Sequence, residues 1–211
     1  MVYNNFYLRA FSSMILIFLF LLINFYFDNW LKYIFILIYF IIFYEVFKNF
    51  KYNKSFLFII FYLIFSLIFL EIYLIEYYNL KEFIYYIFAI SIFDISSYLG
   101  GSIFGKKKIL PNLSPGKTYF GLFSGIAIVM LCSFYYNYIF EIYNFNQLIL
   151  ISLFLIFFSF LGDNLESYFK RLSALKDSSN FIPGHGGFFD RFDSIISCSY
   201  FIFLLNYFSI I

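Results

Sequence analysis

The residues best suited to chemistry lie in one stretch near the C-terminus. It reads Gly162-Asp163-Asn164-Leu165-Glu166-Ser167, then Lys170-Arg171, Lys176-Asp177, Pro183-Gly184-His185-Gly186-Gly187 and Asp190-Arg191-Phe192-Asp193. Only 12% of the chain is charged, yet nine of its 26 charged residues and its one histidine fall between 163 and 193. On a helix, Asp163, Glu166 and Lys170 stand at i, i+3 and i+7, within about 60° of one another. Asp190 and Asp193 repeat the i, i+3 spacing. Two acidic pairs on two helices would offer hard oxygen ligands to Mg²⁺, an ion that also takes substrate phosphates. The glycines between them let backbone N–H groups approach an anion. Lys170, Arg171, Lys176 and Arg191 supply cations for phosphate oxygens. The set describes a phosphoryl- or nucleotidyl-transfer site. Each part has a plainer reading: basic anchors, a surface salt bridge, a solvated histidine, a simple turn. A plain connector would not need them all.

A second polar run follows Asp94: Ser96-Ser97-Tyr98-Leu99-Gly100-Gly101, then Gly105-Lys106-Lys107-Lys108 and Ser114-Pro115-Gly116-Lys117-Thr118. Asp94 falls at or inside an apolar segment, where a carboxylate is costly and marks a functional candidate. Ser114, Lys117 and Thr118 offer hydroxyls and a cation just before a helix, a suitable place for phosphate. This is not a P-loop. The glycine that such a loop requires would fall at Pro111, and no strand is expected before it.

The elements that carry these residues are set by composition. The chain has 211 residues, 64% of them hydrophobic, too many for a soluble domain of this size to hide. Apolar runs of roughly 17–22 residues recur, enough to cross about 30 Å of hydrocarbon. The expected fold is all-α and polytopic, a single membrane domain over 1–211. Seven transmembrane helices are placed at 11–27, 31–47, 55–75, 82–100, 119–140, 147–162 and 194–211, with catalytic loops in the cytosol. No small-residue cleavage site follows the first run, so an uncleaved first helix is expected. Twelve of the fourteen lysines and arginines then fall on one side, and only Lys32 and Lys81 on the other. That puts the N-terminus and the basic loops in the cytoplasm and the C-terminus outside. Lipid-facing positions accept almost any apolar side chain, so the abundance of Phe and Tyr is not read as a site. Cys132 and Cys198 lie in apolar runs and make neither a disulfide framework nor a metal motif.

The polar residues, taken in order, resemble the phosphatidate cytidylyltransferase (CDP-diacylglycerol synthase) family. Its signature matches Ser167, Lys170, Arg171, Lys176, Asp177, Ser179, Ile182, Pro183, His185, Gly186, Gly187, Asp190, Arg191 and Asp193 without a gap. The upstream Gly-Asp-x-x-Glu-Ser matches Gly162–Ser167, and Ser-Pro-x-Lys-Thr-x-x-Gly matches Ser114–Gly121. The resemblance covers about 90–211, the family-like catalytic portion. Departures stand at Ser96, Ser97, Ser102, Tyr119 and Phe120. The chain is also shorter at its N-terminus than many members, which implies one or two fewer helices.

The resemblance implies that CTP and phosphatidate give CDP-diacylglycerol and pyrophosphate, at the inner or plasma membrane of a bacterium. Asp163 and Asp190 would hold Mg²⁺, with Glu166 and Asp193 beside them and a second cation left open. Lys170, Arg171, Lys176, His185 and Arg191 would handle the phosphates. Ser114, Lys117, Thr118 and Asp94 would bind CTP. Partners are then CTP, phosphatidate and membrane lipids, with no nucleic acid and a homodimer left open. Three alternatives stand beside this reading. A related enzyme class is a CTP-using lipid kinase or a CDP-alcohol phosphotransferase; the latter would need an Asp-x2-Asp-Gly-x2-Ala-Arg run, which is absent. A transporter would line a path with Glu45, Glu71 and Asp94 and show paired broken helices. A decayed scaffold would not keep the 167–193 pattern.

Overall fold

The structure is a computed structural model that describes residues 30–52, 54–179, 181 and 186–208. Six α-helices and one short hairpin follow in order: α1 Leu31–Asn49, α2 Lys54–Ile72, α3 Leu80–Phe104, β1 Lys108–Leu110, β2 Ser114–Thr118, α4 Tyr119–Phe140, α5 Phe145–Leu172 and α6 Phe189–Tyr207. A π-helical turn, Tyr73–Tyr77, prolongs α2. The expected helix at 11–27 lies outside the described residues. Helices stand at the other six expected positions, with α3 running on to Phe104 and α5 to Leu172, but α1 and α6 are not among the segments long and apolar enough to span.

Four of the helical segments are long and apolar enough to cross a membrane: Ser55–Tyr77, Leu80–Phe104, Tyr119–Phe140 and Phe145–Leu172. Their outward faces are apolar. Phe58, Phe61, Phe65, Phe123, Leu131, Phe154 and Phe157 are all exposed, a surface suited to lipid and not to water. This is a membrane protein, mostly helical. The stripes turned inward carry Tyr39, Ile42, Leu63, Tyr85, Tyr86, Leu148, Ile151 and Ile196, all essentially buried. Buried hydroxyls tie the helices where side chains must bring their own partners. Tyr85 meets Ser152 at 2.6 Å and donates to Ser133 at 3.1 Å; Tyr39 pairs with Ser66, which meets Ser199 at 3.0 Å.

The hairpin corrects the expectation that no strand precedes the Ser114–Thr118 run. β1 and β2 pair antiparallel, with Lys108 opposite Thr118 and Leu110 opposite Ser114. The run itself is β2. Thr118 ends it by accepting from Gly121 N at 3.1 Å, capping α4. Gly121 also lies so close to α3 that a Cβ there would stand 2.5 Å from Ser97 O. Small residues therefore seat α4 against α3 and fix the hairpin at the C-terminal end of α3.

The same end of the bundle collects the C-termini of α1 and α5 and the N-terminus of α6. Asn49 Nδ2 donates to Ser178 O at 2.7 Å, Lys51 N donates to Ser173 Oγ, and Arg171 Nε donates to Leu113 O. The polar runs at 94–118 and 163–193 thus form one polar end.

Candidate active site

The site begins where α5 meets α6. Gly162 permits the contact: a Cβ there would lie 2.5 Å from Asp193 O and 2.7 Å from Ser197 Cβ. One turn beyond, Asp163, Glu166 and Asp193 each offer a carboxylate oxygen, and the three oxygens lie within 4.8 Å of one another. Glu166 is buried; Asp163 and Asp193 are half-buried. Lys170, one turn past Glu166 on the same helix face, places Nζ 2.8 Å from Glu166 Oε1 and 2.8 Å from Asp190 Oδ1. The α5 pattern read from the sequence holds.

Of the four acidic residues expected to hold or flank an ion, these three gather and Asp190 is otherwise engaged. Asp190 accepts from Lys170 Nζ, from Ser178 N at 2.9 Å and from Gly187 N at 2.8 Å, with Ser178 Oγ at 3.0 Å. Burial would raise its pKa. Hydrogen bonds from the Glu166 carboxyl, the Gly187 amide and Lys170 outweigh burial and hold it at about 2. Asp190 thereby ties Ser178 and Gly187 to the start of α6. Gly186 fits this loop because its φ is +84° and a Cβ would meet Asp190 Oδ2 at 2.5 Å.

Asp193 goes the other way. Burial, then the neighbouring Asp163 and Asp94 carboxylates, push its pKa well up. Asp94, on α3, is held by Ser159 Oγ at 3.2 Å and faces Ser194 Oγ at 3.5 Å. Four carboxylates from three helices therefore converge: Asp94, Asp163, Glu166 and Asp193. Crowded oxygens of this kind fit a hard divalent cation, which would relieve their mutual repulsion.

The hairpin supplies the opposite wall. Lys117 Nζ lies 2.9 Å from Asp163 Oδ2, donates to Asn164 Oδ1 at 2.6 Å and sits 4.9 Å from the centre of the Phe160 ring. Between hairpin and helices is a cavity of about 520 Å³ lined by Asp94, Ser114, Lys117, Thr118, Asp163, Asp190, Arg191 and Asp193, among others. That volume is of the size that takes a small-molecule ligand.

Most of the sequence-derived candidates line the cavity, and the Lys170–Glu166 pair stands behind it. Arg171 and Lys176 are not among the lining residues. Arg171 donates to Leu113 O and Leu175 O, bracing the hairpin turn against the end of α5, and Lys176 is exposed. His185 lies outside the described residues. Among the departures from the family pattern, Ser97 and Ser102 line the cavity, whereas Phe120 packs its ring against Phe104.

Some functional side chains were not singled out from the sequence. Asn164, Ser159 and Ser194 orient Lys117 and Asp94, and short polar residues in apolar helices give little warning of such roles. Glu45 did give a signal, as a lone carboxylate in an apolar run. It figured only in the transporter alternative; in the fold it is fully buried against the Ser178 and Ser179 hydroxyls and the Phe188 and Phe189 amides.

The fold and site define a membrane protein with a carboxylate-and-lysine site at one end of its helix bundle. Residues 5–209 match the profile of the cytidylyltransferase family, and the chain belongs to that family. It is 36% identical over 138 residues to a phosphatidate cytidylyltransferase of Haemophilus influenzae, covering 61% of this chain and 48% of that protein. It is 38% identical over 139 residues to the Bacillus subtilis phosphatidate cytidylyltransferase (63% and 52%) and 42% identical over 120 residues to that of Rickettsia bellii (54% and 52%). The chain spans about half the length of the curated relatives it matches.

Proposed function

We propose that this chain transfers the cytidylyl group of CTP to phosphatidate, giving CDP-diacylglycerol and pyrophosphate. The observation that carries the reading is the convergence of Asp163, Glu166 and Asp193 within 4.8 Å beside a cavity where Lys117 pairs with Asp163 at 2.9 Å. Family membership and the relatives named above support the choice of substrates.

A lipid phosphate oxygen attacks the α-phosphorus of CTP. One P–O bond forms, the bond between the α-phosphorus and the bridging oxygen breaks, and pyrophosphate leaves. A phosphate's second pKa is about 6, so the nucleophile is ionised near neutral pH and needs no strong base. Two anions must meet, so the chain's task is positioning and charge. Asp163, Glu166 and Asp193 would hold Mg²⁺, with Asp94 beside them; bound there, the ion supplies charge neutralisation for the phosphate oxygens. Lys117 and Arg191 meet phosphate oxygens in the cavity, and Ser114 and Thr118 orient the nucleotide. Lys170 holds Glu166 and Asp190 in register across α5 and α6.

The polar end is assigned to the cytoplasm of a bacterial inner membrane. Lys48, Lys51, Lys106, Lys107, Lys108, Lys170, Arg171 and Lys176 cluster there, whereas Lys32 and Lys81 belong to the other end, which is the distribution a positive-inside topology requires. CTP is soluble, and a lipid headgroup reaches such a site without leaving the bilayer.

The test is CTP- and Mg²⁺-dependent formation of CDP-diacylglycerol by membranes that contain the chain, with Asp163→Asn alongside. Product from the parent and none from the variant is expected. No product from inserted, folded parent protein would overturn the reading.

A further inference from the structure

Glu45 stands on α1, far in sequence from every residue of the carboxylate site, and is fully buried. Among the described residues, its two oxygens accept from Ser178, Ser179, Phe188 and Phe189. Oε1 accepts from Ser179 Oγ at 2.6 Å and Phe188 N at 2.9 Å; Oε2 accepts from Phe189 N at 3.0 Å, with Ser178 Oγ at 3.3 Å. Phe188, the residue at the N-cap of α6, makes no side-chain cap of its own. The cap comes instead from a carboxylate on another helix, aimed at the positive end of the α6 dipole.

Two further contacts close the arrangement. Ser178 Oγ stands between the carboxylates, 3.0 Å from Asp190 Oδ2 and 3.3 Å from Glu45 Oε2, so its one proton serves either. Gly187 fills the remaining gap: a Cβ there would lie 2.0 Å from Ser178 Oγ and 2.7 Å from both Glu45 oxygens. Asn49, one turn beyond Glu45 on α1, holds Ser178 O. The first turn of α6, which carries Asp190 and leads directly to Asp193, is thus fixed by α1.

We infer that Glu45 is a positioning residue for the carboxylate site: it sets the height and direction of α6 so that Asp193 meets Asp163 and Glu166. It touches neither cavity nor substrate. The inference rests on the function proposed above for its catalytic readout, but its geometric core does not.

The experiment compares Glu45→Gln, Ser179→Ala and Asn49→Ala with the parent and with Asp163→Asn. Glutamine keeps the shape of Glu45 but turns an N–H₂ group toward backbone donors. In purified protein, Mn²⁺ affinity is measured by electron paramagnetic resonance; in membranes, CDP-diacylglycerol formation is measured across Mg²⁺ concentrations. Glu45→Gln is expected to weaken Mn²⁺ binding about tenfold or more, as loss of an outer support does, and to raise the Mg²⁺ needed for half-maximal turnover in parallel. Turnover should fall by up to about 10²-fold, the effect of a ~1 Å misplacement. Ser179→Ala and Asn49→Ala should shift both readouts the same way by less, and they carry the test if Glu45→Gln does not fold. Folded variants with parental Mn²⁺ affinity and Mg²⁺ dependence would overturn the inference, even if they were less stable. A parent that binds Mn²⁺ but makes no CDP-diacylglycerol would sink the proposed reaction and leave the Mn²⁺ comparison to decide Glu45.

Discussion

Lys117 Nζ lies 2.9 Å from Asp163 Oδ2, tying the hairpin between α3 and α4 to the acidic face of α5. The lysine is mostly buried and the aspartate about two-fifths exposed, so the pair sits at the mouth of the cavity. Lys117 donates also to Asn164, and the proposed reaction would use such a cation beside the triphosphate. Lys117→Met should lower kcat/KM for CTP about 10²-fold, the usual effect of removing one charge-stabilising donor. The loss should appear mainly as a higher KM for CTP. Steady-state kinetics at saturating Mg²⁺ checks this, and an unchanged KM would place Lys117 outside the nucleotide's reach.

The carboxylates should separate into two classes. Asp163→Asn and Asp193→Asn remove oxygens from the converging set and should reduce turnover by about 10³-fold or more. Added Mg²⁺ should not restore it. Asp190→Asn removes instead the partner of Lys170 and of the Ser178 and Gly187 amides. Its loss should be smaller and accompanied by a lower unfolding temperature in detergent, because a charge-assisted network is broken. Activity against Mg²⁺ concentration, read beside thermal unfolding, separates the two outcomes. Equal losses with equal stability would put Asp190 among the ion-holding residues.

Much of this site was legible in the sequence. Asp163, Glu166 and Lys170 share a helix face by spacing alone, and α5 places them so. The apolar runs located six of the described helices, and four of these segments have the length and apolarity of a membrane span, which composition reveals. The hairpin was not legible: Ser114–Thr118 contains Pro and Gly, which weaken any strand signal, and its partner β1 is three residues long. The division of labour between Asp190 and Asp193 was not legible either. Both recur at i, i+3, and only the fold decides which one faces Asp163 and which turns to the loop. Glu45 was visible as an anomaly, but its partners lie more than 130 residues away.

The two arginines of the family-like pattern should behave differently. Arg191 lines the cavity, whereas Arg171 hydrogen-bonds Leu113 O and Leu175 O at the rim. Arg191→Ala should therefore lower turnover more than tenfold, roughly the loss expected of a phosphate contact. Arg171→Ala should cost less than that, and its effect should follow protease cleavage near the hairpin turn, which loses its brace. Parallel turnover and limited-proteolysis measurements decide the matter. An Arg171 variant as inactive as the Arg191 variant, with its hairpin intact, would show that Arg171 also reaches substrate.

The approach of α5 to α6 should tolerate no side chain at Gly162. A methyl group there would stand 2.5 Å from Asp193 O, closer than any real contact, and the atom it meets is backbone. The helices must separate to admit it. Overpacking of this kind costs about 1–3 kcal/mol. The displacement acts directly on Asp193, whose carbonyl is the atom struck. Gly162→Ala should therefore lose activity out of proportion to its stability, with most of the protein still folded and inserted. Gly125→Ala is the control: its Cβ would meet the Phe93 ring at 2.8 Å and Ser97 Cβ at 3.2 Å, side chains and not the backbone of a site carboxylate. It should lose some stability and keep a larger share of its turnover. Specific activity per folded molecule, taken from detergent-solubilised protein of both variants, is the measurement. Equal specific activities would mean that the α5–α6 spacing does not control the carboxylate geometry.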